Sequence, residues 1–202
     1  MVNKLPITIY FDTETTGIPS DYMAHPKEWP RIVQIAWLVA NSEGRIFERA
    51  SMMVKPEGFE IPSQSTKVHG ITTEKAIAEG KDLKEVMTYF GKAWRSAELM
   101  CCHNVSYDLP IVMGESYRLW GKMPFSQKKH ICTMRQTGKI VKAPNKNGNG
   151  IKNWPSLADL CAFCGVVNNK AHDAMGDVLA TFECHQFLIN NGYELHPQIL
   201  EK

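Results

Sequence analysis

The chain has 202 residues, of which 44% are hydrophobic and 22% are charged, and its formal net charge is +2. These proportions exclude a chain that is disordered throughout, and the length suits one well-buried domain over residues 1–202. The mild charge does not by itself argue for nucleic-acid binding, and no stretch approaches the roughly 18 apolar residues of a membrane span. We expect a soluble, cytoplasmic protein without a signal peptide, because the first apolar run is short and leads directly into an acidic block.

The first part of the chain predicts a meander of three strands. Residues 5–11 and 31–40 are apolar and predict two strands, and residues 45–54 return as a third after a tight turn over 41–44. The proline-rich stretch 18–30 predicts an ordered loop that leaves the edge of the sheet. The expected arrangement of these three strands is antiparallel.

Helices dominate the rest of the chain and alternate with short strands. In chain order we predict helices over 63–69 and 73–79, a helix over 82–97, a strand over 98–102, a helix over 107–120, a strand over 130–134, a short helix, a helix over 156–164 and a closing helix over about 173–190. Gly70 and Gly165 are expected to end their helices, and Thr73 to cap the second short one. The closing helix presents an apolar face formed by Val178, Phe182, His185 and Ile189. A meander followed by strands that alternate with helices predicts an α/β fold, with a mixed sheet of antiparallel and parallel strands flanked by helices.

Four acidic residues and one histidine fall into three short blocks. Asp12 and Glu14 follow the first strand, and they point the same way because strand side chains alternate between faces. Asp108 lies in the second block, and His172 and Asp177 lie in the third. Hard divalent cations prefer carboxylate oxygens, so a convergent set of acids predicts a site for two metals about 4 Å apart.

The spacing of the third block indicates what its histidine can do. Residues five apart on one helix diverge by roughly 140°, so His172 and Asp177 cannot both face one site from the middle of a helix. We therefore place His172 in the loop before the closing helix, with Asp173 near the N-cap and Asp177 on the first turn. Neutral imidazole can take a proton from an attacking water, which makes His172 the candidate general base.

Each block also has a purely structural interpretation. Asp12 and Glu14 could form a solvated turn, the block around Asp108 could cap a helix, and His172 could be a loop histidine bonded to backbone. All of these would have to hold at once, in blocks ordered as one site requires, so we favour the metal site.

At these blocks the chain resembles the DnaQ-like 3′–5′ exonucleases of the DEDDh group, which includes the proofreading epsilon subunit of bacterial DNA polymerase III, oligoribonuclease and RNase T. The resemblance spans nearly the whole chain and extends to residues 31–37, 68–72 and 156–160. It implies an RNase H-like fold and His172 as the base. It also implies two Mg²⁺ or Mn²⁺ ions held by four carboxylates, those of Asp12, Glu14, Asp108 and Asp177. A sister branch has tyrosine four residues before the last aspartate, and the residue there is Asp173, which favours the histidine branch.

The resemblance further implies hydrolysis of the terminal phosphodiester at the 3′ end of mainly single-stranded DNA, with release of nucleoside monophosphates and a role in DNA repair or proofreading. Thr15, Thr16 and Gly17 are expected beside the terminal nucleotide, and His69 and Gly70 are candidate base contacts. The aromatic residue that stacks on an exposed base is left open among Tyr22, Trp29 and Tyr107. A 3′–5′ exoribonuclease of the oligoribonuclease or RNase T type, and an inactive nucleic-acid-binding module, are the alternatives.

The expected partner is nucleic acid with a single-stranded 3′ end, DNA rather than RNA, and no membrane. A polymerase partner and a homodimer are left open. Because the chain ends soon after its closing helix, we expect a free-standing exonuclease or a subunit held through its folded surface.

Two other features of the sequence have competing interpretations. Residues 139–153 are rich in lysine, asparagine and glycine, and predict either a solvated loop or a basic arm that follows the phosphates of a substrate. Cys161 and Cys164 are spaced like half a zinc site or a redox pair, but no matching second pair follows at zinc spacing. We therefore interpret the six cysteines as reduced core thiols.

Overall fold

A computed structural model of the protein describes residues 6–145 and 150–199. Within these ranges the strands are β1 (Ile7–Thr15), β2 (Ile32–Asn41), β3 (Ile46–Met53), β4 (Leu99–Cys102) and β5 (Lys129–Cys132). The helices are α1 (Ser63–His69), α2 (Thr73–Glu79), α3 (Leu83–Ser96), α4 (Val105–Trp120), α5 (Thr133–Gln136), α6 (Leu157–Cys164) and α7 (Ala174–Asn190). A short 3₁₀ turn, Pro26–Glu28, lies between β1 and β2.

The five strands form one mixed sheet in the order β3-β2-β1-β4-β5. β2 pairs antiparallel with both β1 and β3, whereas β4 runs parallel to both β1 and β5. At the turn from β2 to β3, the side chain of Asn41 accepts a hydrogen bond from the amide of Arg45 (2.9 Å), and Gly44 adopts a φ of 84°. The predicted meander and the predicted mixed sheet are therefore both confirmed.

Helices cover both faces of the sheet, and β1 divides its side chains between them. Phe11 packs into the larger core, where its ring meets Phe90 of α3 at a centroid distance of 5.4 Å. Tyr10 points the other way and meets Phe182 of α7 edge to face at 5.2 Å. Because Asp12 and Glu14 share the face of Tyr10, the strand directs both carboxylates toward the layer that contains α7.

Several predicted boundaries shift by one to four residues. β1 continues through Thr15 instead of ending at Phe11, so its two acidic residues lie within the strand. Helix α4 begins at Val105, two residues earlier than predicted, and β5 ends at Cys132 because Thr133 already begins α5. Such shifts are expected where hydrogen bonds between distant segments decide the ends of an element.

Two predictions about individual residues were wrong. Thr72, and not Thr73, caps α2, because the Thr72 hydroxyl accepts from the amide of Lys75 (3.1 Å). The Thr73 hydroxyl accepts instead from the amide of Ile61 (2.9 Å). Ile189 was expected on the apolar face of the closing helix, but it is 38% exposed, whereas Val178, Phe182 and His185 on that face are buried.

The loop before β2 is ordered, as predicted, and is fastened to α4. The buried carboxylate of Glu115 accepts from Nε of Arg31 (2.9 Å) and from the amide of Ile32 (3.0 Å). Arg118, one turn further along α4, donates to the carbonyl of Lys27 (2.6 Å). These contacts fix the segment that leads away from the end of β1.

All six cysteines are free and buried, which agrees with the prediction of reduced core thiols. Among the residues that the structure describes, no helix combines the length and the apolar character needed to cross a membrane.

Candidate metal centre

Three carboxylates converge at the end of β1. Asp12, Glu14 and Asp177 each offer one oxygen, and these three oxygens all lie within 4.8 Å of one another. The first two belong to β1, and Asp177 belongs to the first turn of α7, which packs on the same face of the sheet. Carboxylate oxygens at this spacing are the donors that hard divalent cations prefer.

Asp108 lies beside this group but is not one of the three converging residues. One of its oxygens accepts from both the amide and the hydroxyl of Thr13, at 3.0 and 2.8 Å. The reason is the sheet: β4 pairs with β1 only as far as Tyr10, so further along β1 the backbone needs another partner on this side. The first turn of α4 supplies it, and Asp108 is thereby fixed next to the cluster.

Burial and mutual repulsion make these carboxyl groups hold protons tightly. Burial, followed by the charges of Asp108, Asp177 and Glu14, raises the pKa of Asp12 well above its ordinary value. Burial, with the charges of Asp177 and Asp108, raises the pKa of Glu14 to about 7. Burial raises the pKa of Asp108 to about 7 despite the hydrogen bonds from Thr13. The cluster thus needs either protons or cations to offset its charge.

The start of α7 is fixed by two side chains that accept hydrogen bonds from its first amides. Asp173 is the N-cap and accepts from the amide of Gly176 (3.1 Å). Gln34, which lies opposite Glu14 in the neighbouring strand, accepts from the amide of Ala174 (3.2 Å). These bonds satisfy amides that have no partner within the helix. They also fix the position of the first turn of α7 along β1.

The carboxylate of Asp177 is oriented by two donors from the preceding loop. Asn168 donates its side-chain amide to Oδ1 (2.6 Å), and the backbone amide of His172 donates to Oδ2 (3.2 Å). Burial raises the pKa of Asp177, and these bonds together with the charge of His172 work in the opposite direction.

His172 occupies the loop position that its spacing predicted. It lies before α7, is exposed, and has a φ of 63°, a left-handed conformation that residues other than glycine seldom adopt. Its imidazole lies close enough to His69 that its charge contributes to lowering the pKa of His69, for which burial is the main cause. The exposed His172 is placed at the rim of the acidic cluster by its backbone amide, which donates to Asp177.

The three residues after Glu14 form a turn braced by Tyr107. The hydroxyls of Thr15 and Tyr107 hydrogen-bond each other, and Tyr107 donates to the carbonyl of Gly17 (2.6 Å). Thr16 is held separately, since its hydroxyl accepts from the amide of Arg31 (2.9 Å). Both threonine hydroxyls thus support the turn itself, and the turn stands at the end of β1 beside the carboxylates.

The candidate stacking residues differ in their exposure. Trp29 is buried in the main core, and Tyr107 is the brace just described. Tyr22 is 59% exposed and touches Trp29 edge to face. Of the three, Tyr22 alone offers a largely open ring.

His69 and Gly70 play different parts at the end of α1. Nδ1 of His69 accepts from the amide of Ile71 (3.1 Å), and its buried Nε2 faces the carbonyl of Thr15 without forming a regular hydrogen bond. Gly70 has a φ of 74° and ends the helix by donating to the carbonyl of Thr66, which agrees with its prediction as a helix stop. His69 therefore stays a candidate substrate contact, placed near the turn after Glu14.

Sequence reasoning missed two residues that shape this site. Asn168 lies in a polar loop where nothing in the local sequence distinguishes it from its neighbour Asn169. Gln34 was visible only as a polar break in an apolar strand. Both act through hydrogen bonds across the fold, to Asp177 and to the amide of Ala174.

Comparisons with known proteins agree with this geometry. The family model RNase T, described as an exonuclease, matches residues 9–184. A DNA polymerase III subunit epsilon-like protein of Rhodobacter capsulatus is 38% identical over 109 residues, which is 54% of this chain and 14% of that protein.

Solved structures of exonuclease I share the fold. The zinc-bound complex of E. coli exonuclease I with single-stranded DNA has a TM-score of 0.74 at 19% identity, and covers 93% of this chain and 41% of that one. The complex of the same enzyme with a dT13 oligonucleotide has a TM-score of 0.72 at 20% identity, and covers 91% and 41%. A moderately thermophilic exonuclease I from Methylocaldum szegediense has a TM-score of 0.72 at 18% identity, and covers 93% and 41%.

These similarities confirm the predicted RNase H-like fold, and the chain spans about two-fifths of the length of the matched structures. The family model covers most of the chain, from β1 through the greater part of α7. The protein therefore belongs to the DnaQ-like RNase T family of exonucleases, which are hydrolases that act on phosphodiester bonds.

Proposed function

We propose that the protein is a metal-dependent 3′–5′ exonuclease that removes nucleoside monophosphates from the 3′ end of single-stranded DNA. The observation that carries the proposal is the convergence of Asp12, Glu14 and Asp177, with Asp108 fixed beside them. The complexes of E. coli exonuclease I with single-stranded DNA support the choice of substrate.

The donor set fits Mg²⁺ or Mn²⁺. All three converging ligand atoms are carboxylate oxygens, which hard cations prefer, and burial together with the charges of Asp177 and Asp108 raises the pKa of Glu14. Asp12, Glu14 and Asp177 would hold the ions, with Asp108 at their edge. Bound divalent cations supply electrostatic stabilisation of the charge that develops on the phosphoryl group during hydrolysis.

The remaining residues position the substrate and move the proton. In the proposal, the exposed imidazole of His172 takes a proton from the attacking water at the rim of the cluster. Asp177 keeps its orientation through its bonds from Asn168 and from the amide of His172. The turn that ends at Gly17, braced by Tyr107, bounds the place of the terminal nucleotide.

A digestion series tests the proposal. Strands of single-stranded DNA, duplex DNA and RNA, labelled at the 5′ end, are incubated with Mg²⁺, with Mn²⁺ or with EDTA, and their products are separated by length. We expect a ladder that shortens from the 3′ end of single-stranded DNA in steps of single nucleotides, which indicates release of mononucleotides, and no cutting in EDTA. Faster cutting of RNA would identify an exoribonuclease, and binding of a 3′ end without cutting would identify an inactive binding protein.

Substitutions separate metal binding from proton transfer. Asp12→Asn and Asp177→Asn should abolish cutting because each removes a converging ligand, whereas Asp21→Asn, in the exposed loop after β1, should retain it. His172→Ala should lower kcat by about 10²- to 10⁴-fold, the usual contribution of a general base, with little change in Mn²⁺ affinity. Equal losses of rate and metal affinity would contradict the role assigned to His172.

A further inference from the structure

Trp154, just before α6, exposes an unusually large aromatic surface. Its side chain is 58% exposed, whereas Trp29, Trp37 and Trp94 are all buried in the core. An indole ring is the largest apolar surface that one residue can offer, and leaving it in water is unfavourable.

Specific contacts hold the backbone on both sides of the exposed Trp154. Lys152 forms an ion pair with Asp159 of α6 at 2.6 Å. Burial opposes ionisation of that carboxyl, but hydrogen bonds from Lys152 and Ser156 outweigh it and lower its pKa to about 2. Next to Lys152, the carbonyl of Asn153 lies so close to Gly138 that a Cβ there would meet its oxygen at 2.1 Å. The backbone under the indole is therefore fixed before any ligand arrives.

A second anchor ties this segment to the sheet edge that carries the acidic cluster. Nε2 of His103, the residue after β4, lies 3.2 Å from the carbonyl of Pro155, and its Nδ1 lies 3.0 Å from the hydroxyl of Thr133. Burial lowers the pKa of His103 to about 4, so its ring is neutral at neutral pH. A carbonyl only accepts, so Nε2 carries the proton and Nδ1 accepts from Thr133. Because β4 and β5 run parallel to β1, His103 and Thr133 lie at the same edge as Asp12 and Glu14.

Basic side chains lie near the ring of Trp154. The guanidinium carbon of Arg135, in α5, lies 5.6 Å from the centroid of the Trp154 ring. Lys139 and Lys142 follow α5 and are exposed, while residues 146–149, with Lys146, lie outside the described residues. Lys152 is paired with Asp159, so the basic arm suggested by the sequence is in part a structural anchor. An open aromatic face beside cationic groups is how proteins bind single-stranded nucleic acid without reading its sequence.

We propose that Trp154 and Arg135 form a stacking subsite for a base of the substrate strand on the 5′ side of the nucleotide that is removed. This inference rests on the proposed function. The terminal nucleotide belongs at the turn after Glu14, at the end of β1, whereas Trp154 stands on the β4 and β5 side of the same edge. When a strand leaves the metal centre in that direction, one of its bases contacts the indole of Trp154 and one of its phosphates contacts Arg135.

Two substrates test the subsite. The p-nitrophenyl ester of thymidine 5′-monophosphate carries one nucleotide and, on the 5′ side of its phosphate, only a nitrophenyl group with no further base or phosphate, whereas a single strand of about 12 nucleotides continues beyond that point. Trp154→Ala should raise KM for the strand about ten- to hundred-fold, the usual effect of losing one stacked base, and should leave the ester unchanged. Trp154→Phe should restore most of the affinity, because a smaller aromatic face can still stack.

Tyr89→Ala provides a matched control. Tyr89 is 43% exposed on α3, and Nζ of Lys92 lies 5.1 Å from its ring centroid, so it is also an open ring beside a cation. The Tyr89→Ala variant should leave KM unchanged for both the strand and the ester. Equal KM values of wild type and Trp154→Ala for the strand would overturn the subsite. An equal loss on the ester would also overturn it, because the residue would then act only through the structure of the centre.

The failure of the proposed function gives a different result. If the wild type cuts neither substrate with Mg²⁺ or Mn²⁺, the exonuclease proposal fails. Fluorescence anisotropy with a labelled strand then tests the subsite alone. Weaker binding by Trp154→Ala than by Tyr89→Ala would support it, and equal binding would reject it.

Discussion

Replacing Glu14 by glutamine should stabilise the metal-free protein at alkaline pH. Glu14 is only 8% exposed, and burial, with the charges of Asp177 and Asp108, raises its pKa from 4.5 to about 7. A raised carboxyl pKa means that the folded state binds the proton more tightly than the unfolded state does. The favourable contribution of the protonated group is complete below pH 4.5 and is lost as the pH rises to about 7. Glutamine keeps the shape of the side chain and carries no charge.

The size of the effect follows from the pKa. The pKa of Glu14 rises from 4.5 in the unfolded state to about 7 in the folded state. At about 1.4 kcal/mol per pKa unit, the ionised group lowers the free energy of unfolding by about 3 kcal/mol above pH 7. Neighbouring carboxyl groups titrate in the same pH range and bind protons themselves, which reduces the repulsion that Glu14→Gln can remove. We therefore expect the variant to raise the free energy of unfolding by about 2 kcal/mol. For a chain of this length that is a rise in Tm of about 4 to 8 °C. Near pH 4.5 the two proteins should melt together.

Thermal melting in EDTA at pH 5 and at pH 8 measures this difference. His103 and His185 have pKa values lowered to about 4 by burial, so they remove stability as the pH falls below 6.5, but they do so equally in both proteins. Glu43→Gln, in the exposed turn before β3, is the control and should have no effect at either pH. A Tm shift of the same size at pH 5 and pH 8, or a less stable variant at pH 8, would refute the reasoning.

Three further predictions concern the supports of the site. Asn168→Ala should weaken Mn²⁺ binding by about tenfold in calorimetry, because Asp177 loses its 2.6 Å hydrogen bond, whereas Asn169→Ala should not. Glu115→Gln should lower the free energy of unfolding in urea by about 3 kcal/mol, because it leaves Arg31 without its buried counter-charge, and a loss under about 1 kcal/mol would contradict that anchor. The six buried cysteines should resist a thiol reagent in the native protein and react together in denaturant, so rapid reaction of any one in the native state would contradict their burial.

Features that depend on neighbouring residues were predictable from the sequence. The alternation of side chains along β1 placed Asp12 and Glu14 on one face, although the strand is longer than predicted. The helical period excluded His172 from the middle of α7 and placed it in the loop, where it lies. The placement of Asp12 and Glu14 on one face and that of His172 in the loop depend only on local geometry, which tertiary packing did not alter.

Features that depend on contacts between distant segments were not predictable. That Asp108 would be drawn to Thr13 follows from where β4 stops pairing with β1, and no local pattern reveals that point. Thr72 caps α2, while the hydroxyl of the adjacent Thr73 accepts from the amide of Ile61, which belongs to another segment. In each case a side chain satisfied a backbone amide that the topology, and not the neighbouring sequence, had left without a partner.

The same kind of bond holds the carboxylates of the acidic cluster in place against their mutual repulsion. Repelling carboxylates on free loops would move apart, but here each is tied to the backbone. Asp12 and Glu14 are part of β1 and are held there by its pairing with β2, Asp108 is bonded to Thr13, and Asp177 is held by Asn168 and by a backbone amide. Because these bonds keep the carboxylates close together, bound protons or, in the proposed function, bound cations would offset their charge. The burial and the convergence of carboxylates that raise the pKa of Glu14 are therefore also the features on which the proposed metal site depends.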